Sequence, residues 1–212
     1  MHRVGLLIPT ADEARNAPDS LAAYGFGPGK SAACAAAAKL IRDDCCDTIL
    51  IWGTAGGIHA RKGEALVASH VAFSDYDLGG LFGSTGIGFV PGFTGADGWH
   101  ELEATFRRRL LAAFAQVYPE VPVREGRICA SDTFALPDSP QDYNRIQATA
   151  DAVDMESAAV AQFLRLCAPQ VRLGVLRVVS NDPNGEDEFM DFLEFFAALN
   201  PRLTALRTAL EA

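Results

Sequence analysis

The sequence predicts a three-layer α/β fold, with a mostly parallel, mixed central sheet covered by helices on both faces. Three observations carry this. Short apolar runs alternate with helical stretches along the chain. Two of those runs, Val4–Ile8 and Asp47–Trp52, are continuously apolar, as strands buried on both faces are. Glycine- and proline-rich turns stand at their ends.

Taken in order, Val4–Ile8 reads as the first strand and stops at Pro9-Thr10. Lys30–Arg42 is rich in alanine, a strong helix former whose small side chain lets a helix sit close against a sheet. Asp47–Trp52 is the second buried strand, ending at Gly53, and completes a β-helix-β unit. Further strands are expected at Glu64–Phe73, Val123–Ala130 and Val171–Ser180, the last rich in branched residues. Three long helices alternate with them. One runs from about Asp97 as N-cap, with Leu102, Phe106, Leu110 and Phe114 on one side. The next spans Met155–Cys167. The last begins near Glu186, carries the core stripe Phe189, Phe192 and Phe196, and is divided by Pro201. No repeat or linker interrupts the chain, so residues 1–212 are expected to form one domain.

The hydrophobic content of 49% with 21% charged residues describes a globular protein and excludes disorder as the main state. A net charge of −9 repels phosphate backbones and anionic headgroups, which argues against nucleic acid or a membrane surface as partner. A small ligand fits better. The five cysteines, Cys34, Cys45, Cys46, Cys129 and Cys167, lack CxxC or Cys/His ligand spacing and read as reduced core thiols, with no metal expected. The N-terminus opens directly on a strand-like run without the features of an export signal, so a cytoplasmic location is expected. No apolar run is long enough to span a bilayer.

Three loops carry the candidate chemistry. Gly53-Thr54-Ala55-Gly56-Gly57 follows a buried strand, where glycines let the backbone approach a ligand, or serve only a tight packing turn. Asp154-Met155-Glu156-Ser157-Ala158-Ala159 opens a helix with a carboxylate in its first turn. That carboxylate is either a cap or an acceptor for two vicinal hydroxyls. Ser180-Asn181-Asp182-Pro183-Asn184-Gly185 ends the most strand-like segment, where α/β sheets place reactive side chains, and its composition also suits a plain turn.

Together these loops resemble the nucleoside phosphorylase superfamily, most closely the branch of methylthioadenosine/S-adenosylhomocysteine nucleosidases. The order matches throughout: GLLIPTADE, then Gly27-Pro28-Gly29-Lys30, GTAGG, Ser74-Asp75-Tyr76-Asp77, a loop ending FVPG, Ala130-Ser131-Asp132-Thr133-Phe134, DMESAA and RVVSN. The resemblance implies an enzyme that cleaves the N-glycosidic bond of a purine nucleoside and needs neither metal nor organic cofactor. It implies Glu13 as the base that activates water and Glu156 as acceptor of the ribose hydroxyls. Thr54, Ala55, Gly56, Asp154 and Ser180 would line the substrate. Met155 would pack on the sugar, Phe134 would stack on the base, and the backbone of Ala135 would meet the purine edge. Judged singly, Phe134 and Met155 read equally well as core side chains and Glu13 as a solvated carboxylate. A homodimer or larger homo-oligomer is likewise implied by the resemblance alone.

Where the family carries an acidic residue after the serine of its S-D element, this chain has Asn181, with Asp182 beside it. Either Asp182 takes the acid's place, or Asn181 faces an oxygen-bearing purine edge, as in futalosine hydrolases and 6-oxopurine phosphorylases. The strands between the opening loop and Gly27 are nearly absent, leaving only Arg15–Phe26. Phosphorylases of the superfamily bind the attacking phosphate with an arginine where this chain has Ile51, and Glu13 would repel that anion. Water is the expected nucleophile, although Arg15 and Lys30 remain as cations that could reach phosphate. The rivals are a futalosine-hydrolase-like enzyme or a phosphorylase acting on a 6-oxopurine nucleoside, and a nucleoside-binding protein without turnover.

Overall fold

The computed structural model describes residues 3–19, 23–81, 86–133, 143–181 and 189–212. Its strands are β1 (Val4–Leu7), β2 (Ala23–Tyr24), β3 (Thr48–Gly57), β4 (Ala65–Phe73), β5 (His100–Glu101), β6 (Val123–Ala130), β7 (Ala152–Asp154) and β8 (Arg172–Asn181). The helices are α1 (Lys30–Arg42), α2 (Ala104–Val117), α3 (Ser157–Cys167), α4 (Phe189–Leu199) and α5 (Leu203–Glu211).

The strands form one eight-stranded mixed sheet. β3 lies parallel to β1 and β8, and β6 parallel to β4 and β7, whereas β4 runs antiparallel to β8 and β3 antiparallel to β7. Followed round, β3, β8, β4, β6 and β7 pair back to β3, so this part of the sheet closes on itself instead of lying open. Closure brings the C-terminal ends of β3, β6, β7 and β8 to one place, which is where the candidate loops lie.

Strand alternation then sorts the core into two layers. Ile49 and Ile51 of β3 face α1 and α3, packing on Ala33, Ala36, Ala37, Leu40, Ala158 and Leu164. Leu50 and Trp52 face α2, α4 and α5, packing on Phe106, Phe114, Phe196 and Leu206. Ala33, Ala36 and Ala37 of α1 are buried, the close approach their small side chains allow. Pro201 ends α4, and a 3-10 turn over Asn200–Arg202 separates it from α5, as a residue without an N–H demands.

Four expectations are corrected. Asp97 caps no helix: α2 starts at Ala104, and Glu103 caps it by accepting from the N–H groups of Thr105 and Phe106. The reason is the turn at Gly98, whose φ of 87° suits glycine, followed by β5 pairing along β4. GTAGG is no loop but the end of β3, extended and paired with β8 and β7. α3 begins at Ser157, with Met155 and Glu156 before it. Cys45 and Cys167 are exposed rather than core, and only Cys46 and Cys129 are buried.

Candidate active site

The parallel pairing of β1 with β3 ends at Leu7 and Ile51, leaving the N–H of Thr54 without a strand partner on that side. Glu13 fills the gap. Its Oε1 accepts from the Thr54 N–H at 2.6 Å and the Thr54 hydroxyl at 2.9 Å. Its Oε2 accepts from the N–H and hydroxyl of Thr10 at 3.2 and 2.9 Å. Glu13 is therefore no solvated loop carboxylate: it is 5% exposed and held in one orientation.

A second carboxylate pair gathers around Arg177 of β8, which sequence reasoning did not single out. Arg177 is fully buried, donating from Nε to Asp154 Oδ2 at 2.9 Å and from Nη2 to Glu156 Oε2 at 2.6 Å. Asp154 also caps α3, its Oδ1 accepting from the N–H groups of Glu156 and Ser157 and the Ser157 hydroxyl. Glu156 makes no side-chain cap; its Oε1 instead accepts from the Gly29 N–H at 2.8 Å. Each carboxylate oxygen has a second lone pair. Glu156 thus keeps acceptor capacity for a hydroxyl pair even while bound to Arg177 and Gly29.

Arg177 Nη1 is buried and has no hydrogen-bond partner. It faces the same space over Gly53 as Glu13 does: a Cβ added at Gly53 would collide with Nη1 and come within 2.8 Å of Glu13 Oε1. Gly53 is needed for that space and not for a turn. A buried donor left free beside a buried carboxylate is a place for a small hydrogen-bonding species.

The family model of the phosphorylase superfamily matches residues 17–211. The chain belongs to the phosphorylase superfamily. A 5′-methylthioadenosine/S-adenosylhomocysteine nucleosidase of Colwellia psychrerythraea is 32% identical over 186 residues, 84% of this chain and 74% of the relative. Two solved structures share the fold. The corresponding Neisseria meningitidis nucleosidase, in complex with methylthio-immucillin-A, superposes with a TM-score of 0.80 at 22% identity, covering 99% of each chain. The Helicobacter pylori futalosine hydrolase superposes with 0.76 at 18% identity, covering 99% of this chain and 97% of that one.

In this phosphorylase-superfamily chain, burial pushes the Glu156 carboxyl above the usual carboxylate range, opposed by the positive charge of Arg177. Burial works against the charge on Arg177 too, yet Asp154, Glu156 and Glu13 outweigh it and hold the guanidinium above its ordinary value. Beside Glu156, Lys30 donates to both oxygens of Asp75 at 2.6 and 2.5 Å and lies 3.3 Å from Asp132. That pairing tethers the start of α1 to the ends of β4 and β6.

The remaining expected residues fall as follows. Thr54 and Gly56 are half-buried at the end of β3, while Ala55 is buried and its carbonyl accepts from the Ser180 hydroxyl at 3.1 Å. Met155 is half-buried between Asp154 and Glu156. The single Ser180 hydroxyl proton is shared between the Ala55 carbonyl and Asn181 Oδ1 at 3.0 Å, with the amide nitrogen of Asn181 on the side away from Ser180. Phe134, Ala135 and Asp182 lie outside the described residues. Among the described residues no group of three or more His, Cys, Asp or Glu side chains is arranged to hold a metal ion, and no helix is long and apolar enough to cross a membrane.

Arg177 could have been found from its sequence context. It is a lone cation within VLRVV, in a strand that must be buried on both faces, and such a charge requires carboxylates opposite it.

Proposed function

We propose that this chain is a purine nucleosidase, hydrolysing the N-glycosidic bond of a nucleoside such as methylthioadenosine or adenosylhomocysteine. The carrying observation is the space over Gly53, bounded by the Glu13 carboxylate and the free Nη1 of Arg177. A water there would accept from Nη1 and donate to Glu13 in place of one of the threonine hydroxyls that now hold the carboxylate. Glu156 stands on the other side of the guanidinium, where a ribose presents its hydroxyls.

In the reaction, the bond between C1′ and the base nitrogen breaks with its electron pair moving into the base, and the sugar gains oxocarbenium character. The water oxygen bonds to C1′ while its proton passes to Glu13. The negative charge of Glu13 and Glu156 opposes the developing cation. A donor at the base assists departure, and Asn181 is the described side chain at that end of β8.

Water rather than phosphate is supported by the cations. Ile51 is buried in the core, Lys30 is engaged by Asp75 and Asp132, and Arg15 is exposed on the surface. Phosphate entering the space over Gly53 would meet Glu13.

A second reading has one observation in its favour. The Ser180 hydroxyl shares its proton with Asn181 Oδ1, and the amide nitrogen lies on the side away from it, as a donor to N7 or to the O6 of a 6-oxopurine. A single domain, self-association as a dimer or larger ring, and a cytoplasmic location are proposed with the function, on the resemblance and the sequence composition.

The deciding experiment incubates the protein with methylthioadenosine, adenosylhomocysteine, inosine and futalosine, each with and without phosphate, and detects the released base. Free adenine without phosphate is the expected result. Hypoxanthine alone moves the substrate to the 6-oxopurine class, release only with phosphate makes the enzyme a phosphorylase, and nucleoside binding without any release supports the non-catalytic alternative.

A further inference from the structure

We propose that Asn200 is a positioning residue for Glu13. This rests on the reading of Glu13 as the base of the hydrolytic step.

Asn200 opens the 3-10 turn between α4 and α5 and is fully buried within the layer formed by Trp52, Phe192, Phe196 and Leu203. An apolar side chain would suit that layer better, so a buried amide there calls for a use. All its bonding groups reach partners. Nδ2 donates to the carbonyl of Glu13 at 2.8 Å and that of Arg15 at 2.6 Å, and Oδ1 accepts from Trp52 Nε1 at 2.7 Å. Indole N–H only donates, so Trp52 fixes which end of the amide faces it and leaves the nitrogen for the two carbonyls.

The segment so held is a turn that needs holding. Asn16 follows at φ 65°, a left-handed conformation uncommon outside glycine. The carbonyls of Glu13 and Arg15 have no partner in a strand or helix, and Asn200 is what binds them. Trp52 then leads through Gly53 to Thr54, which grips the Glu13 carboxylate from the opposite side. The main chain of Glu13 and its side chain are thus pinned by residues two apart on β3, one pin passing through Asn200. The distance between Glu13 and the free Nη1 of Arg177 is set by this closed circuit.

The test uses Asn200→Asp, which keeps the shape and the acceptor for Trp52 but removes the donors, and Trp52→Phe, which leaves the amide unoriented. Amide hydrogen exchange is read at Thr10 and Thr54, whose N–H groups donate to Glu13, and kinetics are read on the nucleoside found by base release. Asn200→Asp should lower protection at Thr10 and Thr54 while the amides of Leu50 and Ile51 keep theirs. It should lower kcat by about 10- to 100-fold with KM changed less than about threefold, since misplacing a reacting group costs rate more than binding. Trp52→Phe should act in the same direction and decides the matter if the aspartate variant does not fold. Unchanged protection at Thr10 and Thr54, a loss spread evenly over the sheet, or a rise in KM with kcat retained overturns the proposal. If the unaltered protein releases no base, the nucleosidase reading fails, and the exchange data still decide whether Asn200 holds Glu13.

Discussion

Arg177 Nη2 donates to Glu156 Oε2 at 2.6 Å with both side chains sealed from solvent, so neither charge can be removed without stranding the other. Asp154 shares the same guanidinium at 2.9 Å. Breaking a buried pair by deleting one partner costs about 3–5 kcal/mol. Arg177→Met leaves two neighbouring carboxylates without a counter-charge and should lose stability of that order in urea unfolding. Arg177→Lys should recover only part of it, because an ammonium cannot serve both carboxylates and the space over Gly53 in fixed directions. Equal stability of the methionine variant and the parent would mean the cluster is held by packing alone.

Glu13→Gln should remove hydrolysis while sparing most of the affinity for the base. The amide oxygen of glutamine can still accept from Thr54 or Thr10, so the loop keeps its place, but the group no longer takes a proton from water. Loss of a general base lowers kcat by about 10²–10⁴-fold. Single-turnover base release and binding of the free base, measured on the same preparation, separate the two effects. Near-normal turnover would remove Glu13 from the mechanism.

Much of this arrangement was legible in the sequence, and the exceptions have physical causes. Lys30–Arg42 and Val123–Ala130 are observed with the bounds expected, the helix because a run of alanines is a local signal that needs no distant partner. Glu13 could be named but not its bonding, since the match of its carboxylate to Thr54 depends on β1 ending before β3. Asp97 misled because a good N-cap residue is equally a good turn residue, and the choice was made by β5 pairing with β4. Asn200 stands directly ahead of Pro201, and nothing in its local sequence marks it as a donor to a distant turn. Its partners Glu13 and Arg15 lie at the opposite end of the chain.

The cysteines differ in reactivity by burial. Burial pushes the Cys129 thiol up to about 12 and the Cys46 thiol up to about 11, and it raises Cys34 as well, whereas Cys45 and Cys167 are exposed. Only the thiolate reacts, so a raised pKa means slower alkylation at a given pH. Iodoacetamide at about pH 8 should label Cys45 and Cys167 first, with Cys46 and Cys129 labelled only on unfolding. Peptide mass spectrometry reads the order. Early labelling of Cys129 would mean that β6 opens far more readily than its burial implies.

Asn181→Asp tests which base the site is built for. In the parent chain the Ser180 hydroxyl donates to Asn181 Oδ1, leaving the amide nitrogen as a donor that cannot release a proton. An aspartate keeps the acceptor for Ser180 and replaces that fixed donor with a carboxyl that donates only when protonated, and then can deliver the proton. If the base is adenine, protonation at N7 speeds departure, and adenine release should rise by about 10-fold or more, toward the 10²–10⁴-fold range of general-acid catalysis. The gain should fade as pH rises and the carboxyl ionises. If the base is a 6-oxopurine, the outward amide donates to O6, and a carboxylate placed against that oxygen repels it; hypoxanthine release should then fall by about 10-fold or more. Initial rates of release from methylthioadenosine and inosine, measured for parent and variant across pH, distinguish the two. A variant unchanged on both substrates would place Asn181 away from the base and move the search for the leaving-group donor to Asp182.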